Sequence, residues 1–168
     1  HMEENRRKVR QCSRHGCASR LYFQPIQVGV GTPGGGEAAV HATRRFVESM
    51  PVGHCVVKLD FTNAFNSLDR GAMLDAVKQR VPGIYKFCHL SYSQPSVLGY
   101  MDRIIMSQEG SQQGDPLGPA MFCSTIQPLL LSLASELKEA YMDDLTLGGP
   151  ETQVARDVET VRRKGEAI

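Results

Sequence analysis

Three carboxylates carry the first chemical signal in this chain. Asp143 and Asp144 stand side by side in Glu139-Ala140-Tyr141-Met142-Asp143-Asp144-Leu145-Thr146-Leu147-Gly148, which reads as two short strands joined by a turn made of the two acids. A tight two-residue turn calls for positive φ, and Asp tolerates it better than most residues with a Cβ. Taken alone, the pair is equally well an ordinary turn. The third acid, Asp60, ends another apolar run, His54-Cys55-Val56-Val57-Lys58-Leu59-Asp60. If the two runs are neighbours in one sheet, Asp60, Asp143 and Asp144 converge at one edge. Like charges packed together are unfavourable unless a cation neutralises them. Hard oxygen donors in such a cluster suit Mg²⁺ or Mn²⁺.

The elements that must position these acids can be read in order. Glu37–Met50 is expected as an amphipathic helix, with Ala39, Ala42, Phe46 and Met50 on one face. After the strand ending in Asp60, Asp69 is placed to cap a helix over Arg70–Arg80 whose buried stripe is Met73, Leu74, Val77 and Val81. Pro82 opens a further helical piece through 83–92, carrying Ile84, Phe87, Cys88 and Leu90. Ser96–Met101 and Ile104–Ser107 read as a hairpin turning at Asp102-Arg103. The stretch Glu109–Pro119 is broken by glycines and prolines. It leads into the most apolar helix, expected over Leu117–Lys138 with a kink at Pro128. Thr152–Lys164 closes the chain with a stripe of Val154, Val158 and Val161. Strands that alternate with helices in this order form an antiparallel sheet backed by helices, an α+β arrangement.

A second constellation competes for the role of site. Gly29, Gly31 and Gly34 match the G-x-G-x-x-G pattern of NAD-type dinucleotide-binding turns and precede a helix and a strand ending in an acid. Asp60 comes late for a ribose-binding acid, however, and Pro33 interrupts the turn that should offer backbone N–H groups. This reading also leaves the Asp143-Asp144 turn and the 110–119 stretch without a role.

With 168 residues, 41% hydrophobic and 22% charged, the chain has the size and composition of one ordinary globular domain, and its net charge of +1 carries no global nucleic-acid signature. A local basic segment, Arg6, Arg7, Lys8, Arg10, Arg14 and Arg20, is either a solvated arm or a phosphate contact. Five scattered cysteines suggest reduced thiols and an intracellular protein, in nucleus or cytoplasm. Cys12, His15 and Cys17 lack a matching second ligand pair, so zinc is not expected. No run is long and apolar enough for a membrane span. His1-Met2 reads as an expression scar, and both ends read as cuts through a longer polyprotein.

Three stretches in this order resemble reverse transcriptases. Asp60-Phe61-Thr62-Asn63-Ala64-Phe65 resembles the family's first catalytic motif. Gln113-Gly114-Asp115-Pro116-Leu117-Gly118-Pro119 resembles its template and nucleotide motif, and Tyr141-Met142-Asp143-Asp144 its aspartate turn. Gln27–His41 is similar to a fingers segment of non-LTR retrotransposon enzymes. The resemblance implies a polymerase palm with a ferredoxin-like core over 54–168, and a partial helical fingers segment with the basic arm over 3–53. It implies RNA template, DNA primer and deoxynucleoside triphosphates as partners, and Mg²⁺ or Mn²⁺ held by Asp60, Asp143 and Asp144, the last less directly. Phe61, Phe65, Gln113 and Gly114 would meet the nucleotide, with Phe65 excluding a 2′-hydroxyl. Tyr141, Met142 and Pro119 would meet primer or template. The family's triphosphate-gripping hairpin and its thumb are not found in the sequence. The isolated chain is therefore expected to be poorly active and prone to self-association. A catalytically idle or host-adopted nucleic-acid binder is the alternative.

Overall fold

The order of elements follows from where apolar stripes alternate with breakers. The structure, a computed structural model, describes residues 22–166. Helix α1 (Gly35–Ser49) leads to strand β1 (His54–Asp60), a single-turn helix α2 (Ala64–Ser67), α3 (Arg70–Arg80) and α4 (Pro82–Tyr92). A hairpin of β2 (Ser96–Tyr100) and β3 (Arg103–Ser107) follows, then α5 (Gly118–Leu131), β4 (Leu137–Tyr141), β5 (Asp144–Pro150) and α6 (Glu151–Gly165). The main sheet is three-stranded and antiparallel in the order β1-β5-β4, and β2-β3 forms a separate two-stranded sheet. A short parallel bridge between Gln27 and Ala140 lengthens the main sheet beyond β4. This is the α+β fold expected.

Side-chain alternation assigns the two faces of the main sheet. Leu145 and Leu147 point into a core shared with Met73, Val77, Val154, Val161 and α5 from Met121 to Leu130. On the other face, Phe46 of α1 lies against Gly148. Lys58 and Asp60 on β1 are left exposed there. Helix α3 matches its expected bounds. Asp69 Oδ1 accepts from the Ala72 N–H at 2.7 Å, Met73 and Val77 are buried, and Leu74 and Val81 are partly so. In α4, Cys88 and Tyr92 turn inward, whereas Phe87 and Leu90 are exposed.

Three boundaries depart from expectation. Helix α5 stops at Leu131 rather than Lys138, and Lys138 is already in β4. The stop is imposed from a distant element. Asp157 of α6 accepts from the N–H groups of Ala134 (2.9 Å) and Ser135 (2.6 Å) and from the Ser135 hydroxyl (2.6 Å), which holds the chain in a turn. Pro128 lies inside α5, where its ring supplies no N–H to the preceding turn. Both hairpins also turn one residue earlier than expected. The central residues are Met101-Asp102 and Met142-Asp143, and Tyr141 pairs with Asp144. Met101 (φ 53°) and Met142 (φ 58°) take the positive dihedral, which costs a side-chain-bearing residue about 1–2 kcal/mol.

The basic segment 3–20 and the Cys12, His15, Cys17 group lie outside the described residues. Within them, Cys55 and Cys123 are free thiols, and Cys88 is buried in the core. No helix among the described residues is long and apolar enough to cross a membrane.

Candidate active site

Pairing in the main sheet sets the site. In the β1–β5 register Asp60 is directly opposite Asp144, and the Met142-Asp143 turn projects just beyond them. Asp60 and Asp143 line one cleft of about 670 Å³. Phe61, Phe65, Gln113, Gly114 and Pro119 line it too. Two strands, a short helix and a glycine-rich loop therefore bring seven of the expected site residues together. Asp144 is directed differently: its Oδ1 meets Lys58 Nζ at 2.9 Å on the exposed sheet face. The hydrogen bond and charge of Asp144 raise the Lys58 pKa, and Asp60 and Asp143 add to that rise against some desolvation. Tyr141 and Met142 do not line the cleft. The Tyr141 ring lies beside Gly36 at the start of α1, and Met142 packs against Gly29.

Aromatic packing forms the floor. The Phe65 ring sits 4.8 Å from that of Phe122, tilted by 35°, and Phe61 meets Phe122 edge-on at 6.3 Å. Phe65 is thus both a packed aromatic and a wall of the cleft. Phe61 also borders a second cavity of about 450 Å³ that runs back to Val158 and Arg162 of α6. Beneath Asp143 the Cys123 thiol is pushed up to about 12, by burial first and by the Asp143 charge second, so it stays protonated.

The donor set can be tested against a divalent ion. Mg²⁺ at phosphoryl-transfer sites takes one or two protein carboxylates and fills its octahedron with water and substrate phosphates. Asp60 and Asp143, facing one cleft, fit that demand. A closed cage of three His, Cys, Asp or Glu is not formed among the described residues. The three-acid cluster expected from sequence therefore resolves into two acids at the cleft and one tied to Lys58.

Comparison with known proteins agrees with this geometry. The family model for reverse transcriptase (RNA-dependent DNA polymerase) matches residues 16–167. The chain belongs to the reverse transcriptase family. A search against curated proteins finds no match.

How this reverse transcriptase domain holds its Gln112–Gly114 loop was not legible in sequence. Arg70, buried at the start of α3, donates to the carbonyls of Gly110 (2.9 Å), Ser107 (2.9 Å) and Glu109 (3.3 Å) and to the Ser107 hydroxyl (2.8 Å). Its guanidinium also stacks on Tyr92, 5.2 Å from the ring centroid. The Tyr92 hydroxyl donates to Asp115 Oδ2 and accepts from the Gln112 N–H at 3.2 Å, and Asp115 Oδ1 accepts from the Leu117 N–H at 2.8 Å. Burial, then the bond to Asp115, pushes the Tyr92 pKa up to about 12, which keeps it a donor. The Ser111 N–H donates to the Phe65 carbonyl at 2.9 Å, which ties Phe65 to the start of the Gln112–Gly114 loop.

Two of the three glycines of the G-x-G-x-x-G match, Gly29 and Gly34, have local explanations. Gly34 caps α1 at φ 66°, and a Cβ on Gly29 would come within 2.6 Å of the Met142 nitrogen. Residues 26–28 bond to β4 and not to β1, since Val28 N–H donates to Ala140 O and Ala140 N–H to Ile26 O, both at 2.8 Å.

Proposed function

We infer that this chain is the palm (54–168), with part of the fingers (3–53), of an RNA-directed DNA polymerase of the non-LTR retrotransposon type. The observation that supports this most is the meeting of Asp60, at the end of β1, and Asp143, in the β4–β5 turn, in a cleft walled by Phe65 and the Gln113-Gly114 loop. Such a cleft suits in-line attack of a primer 3′-hydroxyl on a nucleotide α-phosphate. Asp60 and Asp143 would hold Mg²⁺ or Mn²⁺, whose chemistry is to stabilise the attacking and leaving oxygens together. Asp144 acts through Lys58, keeping an ammonium beside the acids and lowering their mutual repulsion. Phe65, backed by Phe122, presents a rigid ring where a ribose 2′-hydroxyl would collide. Gly114 lets backbone approach the nascent base pair. Pro119 borders the same space, while Tyr141 and Met142 face the primer side. RNA template, DNA primer and deoxynucleoside triphosphates are the partners, in an intracellular setting.

Among the described residues, those that line the cleft include no Arg or Lys. A triphosphate would be gripped by groups other than these lining residues, and the proposal is that this chain alone extends a primer poorly. The test combines Mn²⁺ calorimetry with primer extension on an RNA template, in the chain alone and joined to its neighbouring sequence. Asp143→Asn should remove Mn²⁺ binding and any extension. Phe65→Val should raise ribonucleotide use about tenfold or more, the scale of one lost packing clash. Unaltered Mn²⁺ binding in Asp143→Asn would leave an idle nucleic-acid binder as the better reading.

A further inference from the structure

The catalytic turn has a partner that the motif itself does not contain. Gln27 is fully buried, and its carboxamide pairs with both sides of one peptide residue. Nε2 donates to the Met142 carbonyl at 3.1 Å, and Oε1 accepts from the Met142 N–H at 2.8 Å. Oε1 also accepts from the Gly29 N–H at 3.0 Å, which orients the amide. Met142 is the residue with φ 58°, so the clamp acts where the turn is least favourable by itself. The next residue is Asp143.

From this geometry we propose that Gln27 is the positioning residue of the catalytic turn, setting the direction in which Asp143 is presented to the cleft. The proposal rests on the reading of Asp143 as a metal ligand and adds a residue from outside the three motifs that carry the acids and the Gln113-Gly114 loop. A two-residue turn closed only by its own strand bonds can rock about them. The second pair of bonds, from a side chain rooted in a neighbouring segment, removes that freedom. The segment is itself fastened, because Ile26 and Val28 bond to Ala140 on β4. Gly29 is part of the same device. A methyl there would meet the Met142 nitrogen at 2.6 Å and Gln27 Oε1 at 3.0 Å, forcing the segment away from the turn. The two bonds to Met142 also need a donor and an acceptor at the same reach, which among side chains means a Gln amide. Glu offers only acceptors when ionised, and Asn is one methylene short.

The test compares Gln27→Met, Gln27→Glu and Asp143→Asn with the unaltered chain, using amide hydrogen exchange and Mn²⁺ calorimetry. Gln27→Met keeps the volume and removes both bonds. The Met142 amide should then exchange about tenfold faster or more while the Leu147 amide in β5 is unchanged. Mn²⁺ affinity should fall about tenfold, the scale seen when a ligand loses its supporting contacts. Gln27→Glu keeps the acceptor and loses the donor, and should lie between. A freed Met142 amide with unaltered Mn²⁺ affinity would make Gln27 a purely structural residue and overturn the proposal. If Gln27→Met does not fold, unaltered affinity in Gln27→Glu overturns it equally. If Asp143→Asn binds Mn²⁺ as the unaltered chain does, the metal reading falls and this proposal with it.

Discussion

Two hairpins in this molecule carry the same three residues at the same turn. Tyr100-Met101-Asp102 closes β2 and β3, and Tyr141-Met142-Asp143 closes β4 and β5. In both, Met alone of the two central residues has positive φ, the sign pattern of a type II′ turn. Their surroundings differ completely. Met101 is 88% exposed, and Val97, Tyr100, Ile104 and Ile105 beside it are exposed as well. Met142 is clamped by Gln27, and β5 lies between β1 and β4 with Leu145 and Leu147 buried. The turn is thus a local product of three residues. Whether it presents an acid to a cleft depends on what packs at either side.

The largest expected effect that could break this contrast is on stability. Leu147→Ala in the buried hairpin should cost about 2–5 kcal/mol of unfolding free energy in urea, through lost burial and a residual cavity. Ile105→Ala in the exposed hairpin should stay within about 0.5 kcal/mol. Equal costs would show that β2 and β3 are anchored as firmly as β4 and β5.

Asp157 gives a smaller, pH-dependent effect at the root of β4. Burial pushes its carboxyl up, but bonds from the Ser135 hydroxyl and N–H, the Ala134 N–H and Gln153 together hold it below the usual carboxylate range. A depressed folded pKa means stability that is present above the unfolded value and lost as pH falls through the folded one. Asp157→Ala should therefore cost about 1–3 kcal/mol near neutral pH. The gap to the unaltered chain should close in acid when Tm is followed against pH. A gap that persists in acid would mean that packing, and not the ionised cap, is what Asp157 supplies.

Glu139, in the middle of β4, is the opposite case and the smallest effect. Burial raises its pKa, and its Oε2 has no hydrogen-bond partner. Its favourable contribution is present below the unfolded pKa and is lost as pH rises through the folded one. Glu139→Gln should raise stability by about 1 kcal/mol or less at neutral pH. In acid the gain should vanish. Loss of stability at neutral pH would indicate that the carboxylate has a partner when ionised.

Much of the frame was legible from pattern alone. Helix α3 with its Asp69 cap and strand β1 to its last residue follow from periodicity, a capping side chain and an apolar run ending in an acid, whereas the convergence of Asp60 with the Tyr-Met-Asp-Asp turn was legible only on the condition that the two runs are sheet neighbours. The end of α5 was not legible, because Ser132 to Lys138 has no strong breaker of its own. The stop comes from Asp157 on a helix that follows β4 and β5. The turn register was missed by one residue in both hairpins for a related reason. Asp is the better intrinsic candidate for positive φ, yet strand pairing on either side put Met there.

By itself, then, the sequence determined which side chains could do chemistry and the order of the elements that carry them. Those properties reside in residue type and in spacing along the chain. Tertiary structure alone decided that Asp143 faces the cleft while Asp144 meets Lys58, that Arg70 and Tyr92 brace the Gln112–Gly114 loop, and that Gln27 holds the turn. Each of these is a hydrogen bond or ion pair between residues far apart in sequence. Such bonds depend on a few ångströms of reach and on burial, neither of which leaves a periodic trace in the chain.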